Sequence, residues 1–218
     1  GAVGVTGTSA ANLLAKAADV VLVVGSRLQD FTTASKQVFA SEVKLLHLNV
    51  SKFDGLKMDS IMLQADAKSG LESLSEELRK AKYQTSAEYR MCVSQLQSEW
   101  NAEVDRLYNL TSEEGNVQTS IVGTLNEFMA PEDIVLCAAG SLPGDLHRLW
   151  RSEIPKTYHM EYGYSCMGYE VSGGLGAKMA MEKGEVYVIV GDGSYLMLHS
   201  EILTALKEHV KINIVLLD

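Results

Sequence analysis

The sequence predicts an α/β protein of two parallel-sheet units joined by a helical linker. Three observations carry that prediction. Short apolar runs recur without alternating polar positions, as in strands covered on both faces of a parallel sheet. Segments with apolar residues at every third or fourth position lie between them. A longer, mostly polar helical stretch separates the two groups of strands.

Residues 10–18 read as a helix that runs into 19–25, an apolar strand closed by Gly25. Residues 44–49 and 61–65 read as two further strands. Leu71, Leu74, Leu78 and Ala81 then fall at helical spacing and close the first unit. Val93, Leu96, Trp100, Val104 and Leu107 recur every three or four residues, which makes 86–108 an amphipathic helix with a polar outer face. Residues 111–116 are a loop by composition, so the predicted division is 1–85, a linker 86–115, and 116–218. The second unit opens with a helix carrying Ile121, Leu125 and Phe128, stopped before Pro131. A strand over 133–139 leads into Gly140-Ser141-Leu142-Pro143-Gly144. A glycine-rich helix over 167–181, a strand over 185–190, a helix over 200–208 and a strand over 212–217 follow. A domain rarely stops on a strand that reads as buried, so the chain is expected to be an interior piece of a longer protein. The first unit need not be complete at its start.

Composition bounds the function. The 218 residues are 46% hydrophobic and 22% charged, with a formal charge of −9, an ordinary globular balance. That charge argues against nucleic acid and against an anionic membrane surface. An anionic ligand would need local devices such as backbone N–H groups or a metal. No apolar run approaches a membrane span, and the start lacks a signal-peptide layout. Cys92, Cys137 and Cys166 are too widely spaced for a zinc CxxC pair and argue against a disulfide framework, which suits a reducing cytoplasm.

Asp192 is the leading chemical candidate. It follows a strand and precedes a helix, at the carboxyl edge where ligands gather in open parallel sheets. Its carboxylate is a hard oxygen donor suited to magnesium. Gly191 and Gly193 let backbone approach a diphosphate closely, and Ser194 adds a hydroxyl. An isolated Gly-Asp-Gly is more often only a tight turn. Met167 is large, apolar and adaptable, and taken alone would be core packing. Gly140, Ser141 and Leu142 form a loop at another strand end, equally readable as a plain strand-to-helix turn. Gly173, Gly174 and Gly176 suit close helix packing better than phosphate binding. Gly1, Gly4 and Gly7 follow no strand and lack the dinucleotide spacing. None of the five histidines has metal-ligand spacing. His159 and Glu161, or His147, are candidates for a substrate pocket, although a solvated role is the commoner one. Arg27 reads as a charge-pairing residue.

Taken together, these segments resemble the acetolactate-synthase-like family of thiamine-diphosphate enzymes. Gly191-Asp192-Gly193-Ser194, with Glu201, Leu203 and Thr204 and then an apolar strand, is similar to the family's cofactor signature. That signature closes on an Asn-Asn pair; Asp218 stands where the first Asn would, so half of the metal site would be absent. Tyr164-Ser165-Cys166-Met167-Gly168-Tyr169 resembles the segment whose bulky residue, here Met167, holds the cofactor bent. Ser165 replaces the usual glycine there. Ala139-Gly140-Ser141-Leu142-Pro143-Gly144 resembles a diphosphate-contacting loop. Residues 17–27, 46–51 and 64–67 look like the family's central domain, in which some relatives contact a flavin nucleotide near the position of Arg27.

The resemblance implies thiamine diphosphate and magnesium as cofactors. Gly140, Ser141, Leu142, Ser165, Met167, Gly191, Gly193 and Ser194 would contact the cofactor and Asp192 the metal. It places no catalytic residue in this chain, because the activating glutamate belongs to an N-terminal domain supplied by a partner subunit. A homodimer or homotetramer is therefore expected. Residues 158–170 and 138–147 point to the branch that hydrolyses a C–C bond of a cyclic diketone in inositol catabolism. Three alternatives stay open: another thiamine enzyme, such as an acetolactate synthase or 2-keto-acid decarboxylase, a non-catalytic nucleotide-binding module, and a scaffold without a ligand.

Overall fold

A computed structural model describes residues 1–113 and 115–218 as two compact units, Gly1–Glu103 and Val104–Asp218. The division between the units falls inside one long helix within residues 86–115.

The first unit contains α1 (Ser9–Ala17), β1 (Val20–Val24), α2 (Asp30–Thr33), β2 (Lys44–Asn49), α3 (Lys52–Gly55), a short 3-10 turn, β3 (Ile61–Gln64), α4 (Ala67–Lys80) and the first part of α5 (Ala87–Tyr108). Its three strands are parallel in the order β1-β2-β3. Val23, Leu28 and Leu45 form its buried centre. Capping matches the boundaries: Thr8 Oγ1 accepts from Ala11 N at 3.1 Å, and Asp66 Oδ1 from Ser69 N at 3.1 Å. The early glycines have a packing reason. A Cβ on Gly4, at φ +105°, would lie 1.9 Å from Phe31 O, so only glycine fits that crossing.

One expectation fails in this unit. The apolar run of β1 was expected to be covered on both faces, yet Val20 and Leu22 are 47% and 43% exposed. Ile61 and Leu63 on β3 are 66% and 54% exposed. These residues are two apart on their strands and share one face of the sheet, which is partly uncovered among the described residues, although Leu48 on that face is buried beside Gly70 of α4.

The second unit contains the end of α5, then α6 (Gln118–Phe128), β4 (Ile134–Cys137), α7 (Leu142–Leu149), β5 (Tyr158–Met160), α8 (Tyr169–Ala180), β6 (Val186–Gly191), α9 (Asp192–Leu198), α10 (Glu201–Lys207) and β7 (Asn213–Leu217). The sheet is parallel in the order β5-β4-β6-β7. Here the apolar runs of β4 and β6 are buried as predicted: Val135, Leu136, Val186, Val188, Ile189 and Val190 are at most 1% exposed, whereas β7, which also reads as buried, is only half-covered, with Leu216 48% exposed. α8 packs on β4 and β6, with α10 against α8, while α6 packs on α7. Gly174 permits the close approach of α8, since a Cβ there would lie 2.2 Å from Val188 Cγ2. Gly176 meets nothing within 4 Å and has no such role.

The strand order creates a crevice. From β4 the chain moves outward to β5, then returns to the other side of β4 as β6 and continues outward to β7. Order therefore reverses between β4 and β6, the switch point at whose carboxyl end open α/β sheets bind ligands.

Candidate functional site

β4 delivers Ala139, Gly140 and Ser141 to that carboxyl edge, and β6 delivers Gly191, Asp192 and Gly193 to it. The two strand ends, with Met167, Leu142, Ser194, Asn116, Gln118, Ile121, Leu217 and Asp218, line a cavity of about 340 Å³. All but one of the nine residues expected to contact the cofactor or its metal thus meet around one space, whereas His147, His159, Glu161 and Arg27 do not line it. Ser165 is the exception: it is exposed, at φ +54°, and does not line the cavity.

Gly191-Asp192-Gly193 is not a tight turn. Gly191 ends β6 and caps α9, and Asp192 is the first helical residue. This is why the carboxylate stands exposed at the rim. Gly193 N donates to Asp192 Oδ1 at 2.6 Å, and the second carboxylate oxygen has no protein partner among the described residues. The Met167 methyl group lies over Gly193, where a Cβ would be 3.5 Å from it. Met167 itself is 46% exposed, so it is a projecting side chain and not core. Gly140 adopts φ +93° with open space beside it, a backbone that glycine takes without strain. Ser141 Oγ donates to Gln118 Oε1 at 3.4 Å, while Gln118 Nε2 donates to Asp145 Oδ2 at 2.6 Å.

Ser194 departs from its expected role. It is buried, and its hydroxyl donates to Glu170 Oε2 at 2.6 Å and accepts from Gly168 N at 2.7 Å. The hydroxyl is therefore engaged within the protein, although Ser194 is among the residues lining the cavity.

β5 was missed in the sequence because it has only three residues, Tyr-His-Met, without an apolar run. It sets Glu161 at the same sheet edge, where Glu161 N donates to Cys137 O at 3.2 Å. The Glu161 carboxylate accepts from Cys166 N at 2.9 Å and Tyr164 N at 3.1 Å. Those bonds hold its carboxyl below the usual glutamate range. His159 Nε2 and Tyr169 Oη are 2.7 Å apart with their rings stacked. His147 is not the solvated histidine expected: its ring stacks on Tyr162 at 5.7 Å, and burial lowers its pKa. Burial also pushes the Cys137 thiol up to about 12, with the Glu170 charge adding to it. Cys137 is accordingly an inert core residue.

The residues available suit a magnesium diphosphate. Among the described residues no three His, Cys, Asp or Glu side chains cluster as a metal cage. Magnesium usually takes one or two carboxylates and completes its shell with phosphate oxygens and water. An exposed Asp192 beside side-chain-free Gly191 and Gly193 meets that requirement.

Comparison with known proteins agrees with this layout. Residues 1–74 match the model of the thiamine pyrophosphate enzyme central domain. Residues 138–218 match that of the C-terminal TPP binding domain of the same enzymes. The whole chain is 47% identical to a 3D-(3,5/4)-trihydroxycyclohexane-1,2-dione hydrolase of Bacillus cereus (strain AH820), covering 37% of that protein. Proteins of the same name from Bacillus thuringiensis (strain Al Hakam) and Clostridium tetani (strain Massachusetts / E88) are 46% and 45% identical over the whole chain, again with 37% of each covered. The chain thus spans little more than a third of the length of these curated relatives. Two domains of one enzyme group, in order along a single chain and with the predicted cofactor loops meeting at the sheet switch point, make this chain a member of the thiamine pyrophosphate enzyme family.

Proposed function

We propose that this chain is part of a magnesium- and thiamine-diphosphate-dependent hydrolase that cleaves a C–C bond of a cyclic diketone, opening trihydroxycyclohexane-1,2-dione to 5-deoxy-glucuronate in inositol catabolism. The observation that carries the reading is the cavity at the β4/β6 switch point, where Gly140, Ser141, Leu142, Met167 and Gly191–Ser194 converge. The names of relatives 45–47% identical over the whole chain support the substrate class.

In this reading Asp192 would give one carboxylate oxygen to magnesium. Gly191, Gly193 and Gly140 would leave room for diphosphate oxygens to reach backbone N–H groups, and the Ser141 hydroxyl would add a donor on exchanging its long 3.4 Å bond to Gln118 for one to the diphosphate. Met167, projecting over Gly193, would hold the cofactor in its bent form. Once bound, thiamine diphosphate supplies a carbon nucleophile and an electron sink, the chemistry that a diketone C–C cleavage requires. The protein's share is to bind, bend and shield it. Ser165, outside the cavity, would contribute through its backbone carbonyl. We further propose a division into a central domain (1–85), a helical linker (86–115) and a diphosphate-binding domain (116–218), within a cytoplasmic homodimer or homotetramer whose activating glutamate lies outside this chain. Among the described residues no helix is long and apolar enough to cross a membrane.

The test is to supply the full-length protein, with magnesium and thiamine diphosphate, with the cyclic dione and separately with pyruvate. Ring opening of the dione is expected. Turnover of pyruvate alone would reassign it to the synthases or decarboxylases. Saturable nucleotide binding to the first unit, without thiamine diphosphate binding anywhere, would favour a sensing module.

A further inference from the structure

Glu170 is the one fully buried carboxylate among the described residues, 0% exposed. No described cation pairs with it. Instead, Oε1 accepts from Ala139 N at 3.1 Å, and Oε2 accepts from Gly168 N at 3.1 Å and from Ser194 Oγ at 2.6 Å. Gly168 N also donates to Ser194 Oγ at 2.7 Å, so this hydroxyl sits between the turn and the carboxylate.

The donors belong to three different segments. Ala139 immediately precedes Gly140 and Ser141, Gly168 follows Met167, and Ser194 follows Asp192 and Gly193. Each donor is thus one or two residues from a group that faces the cavity. Burying a lone carboxylate is costly, and that cost is offset only where every donor is well placed. Glu170 lies in the first turn of α8, a helix of 12 residues whose N-terminal end favours an anion. Gly168 just before it, at φ +91°, tolerates no side chain without backbone strain and would crowd Leu198. The turn therefore has little freedom except through these bonds.

We propose that Glu170 is a positioning residue that sets the spacing of the three cofactor loops, holding the β4 loop, the Met167 turn and the Asp192 helix in register before any ligand arrives. This rests on the thiamine-diphosphate reading of the cavity. A neutral amide cannot replace it. Glutamine has one acceptor oxygen and one NH2 donor, so either Ala139 N–H or Gly168 N–H would face another donor in a buried place. Aspartate is one methylene short of spanning the three segments.

The experiment compares full-length wild-type protein with Glu170→Gln, Ser194→Ala and the double variant. The first readout needs no cofactor: amide hydrogen exchange of the apoprotein at Ala139 and Gly168, expected to quicken at least tenfold in Glu170→Gln. The second is the thiamine-diphosphate concentration giving half-saturation at fixed magnesium. It is expected to rise at least tenfold in Glu170→Gln and less in Ser194→Ala, with kcat of Glu170→Gln at saturating cofactor within threefold of wild type. Because the hydroxyl acts through the carboxylate, the double variant should bind no worse than Glu170→Gln alone. If Glu170→Gln fails to fold, Ser194→Ala carries both readouts. Unchanged exchange at both amides, or a lowered unfolding midpoint with unaltered half-saturation, overturns the proposal and leaves the functional reading standing. A wild-type protein that binds no thiamine diphosphate overturns that reading instead, and the exchange result then still reports whether Glu170 joins the loops.

Discussion

At Asp192 the chemistry is concentrated in one exposed carboxylate whose second oxygen has no described partner. Replacing it by asparagine keeps the shape and removes the charge that magnesium needs. In the full-length enzyme Asp192→Asn should raise the magnesium concentration for half-activation by roughly tenfold or more, about 1.4 kcal/mol of binding; a titration of activity against magnesium checks it. Met167 projects over Gly193 and is largely outside the core. Met167→Ala should therefore lower kcat while leaving the unfolding midpoint nearly unchanged, a split that core packing could not produce. Glu161 offers a pH test. Its folded-state pKa is depressed, by the Cys166 and Tyr164 amides first among its causes. The stabilisation is therefore complete above the usual glutamate pKa and is lost as pH falls through the lowered value. Exchange of those two amides, corrected for intrinsic rates, should quicken on acidification, and Glu161→Gln should abolish that dependence.

At the scale of elements, the contact of α8 with β6 decides how tightly the site is framed. Gly174 lies against Val188, so Gly174→Val would force a side chain into filled space and should cost about 1–3 kcal/mol. Gly176, two residues on, faces no neighbour within 4 Å. Gly176→Ala should instead stabilise by roughly 0.5–1 kcal/mol through lower unfolded-state entropy. Urea unfolding of the two variants separates these outcomes, which the glycine-rich sequence by itself did not. The β4 and β6 strands were legible because full burial on both faces leaves an unbroken apolar run. β5 was not, since three residues beside a polar loop carry no period to read.

For the whole molecule, the chain comprises two units, each with its own parallel sheet, and spans 37% of its relatives. The proposed enzyme needs groups that lie outside it. Calorimetry with magnesium and thiamine diphosphate should detect binding to the full-length protein and none to this chain alone. Tight binding by the chain would show that Asp192, Met167 and the two glycine loops suffice. The partly uncovered face carrying Val20, Leu22, Ile61 and Leu63 belongs to this scale too: β1 reads as a fully buried strand, and its cover is set by what packs there, as α4 does over Leu48.

By itself the sequence determined the α/β class, six of the seven strands, the family resemblance and most of the cavity-lining residues. All of these are written locally, in apolar runs and in glycine-bearing motifs at strand ends. Only the tertiary structure decided what those residues face. It turned the Ser194 hydroxyl inward, left Ser165 outside the cavity, made Asp192 the start of a helix and drew Gln118 to the rim. Glu170 is the clearest case. A lone acid in the glycine-rich helix was a visible signal, but its partners are 31 and 24 residues away in Ala139 and Ser194. Hydrogen bonds between such distant segments have no sequence period, because they exist only once the sheet has brought the strand ends together.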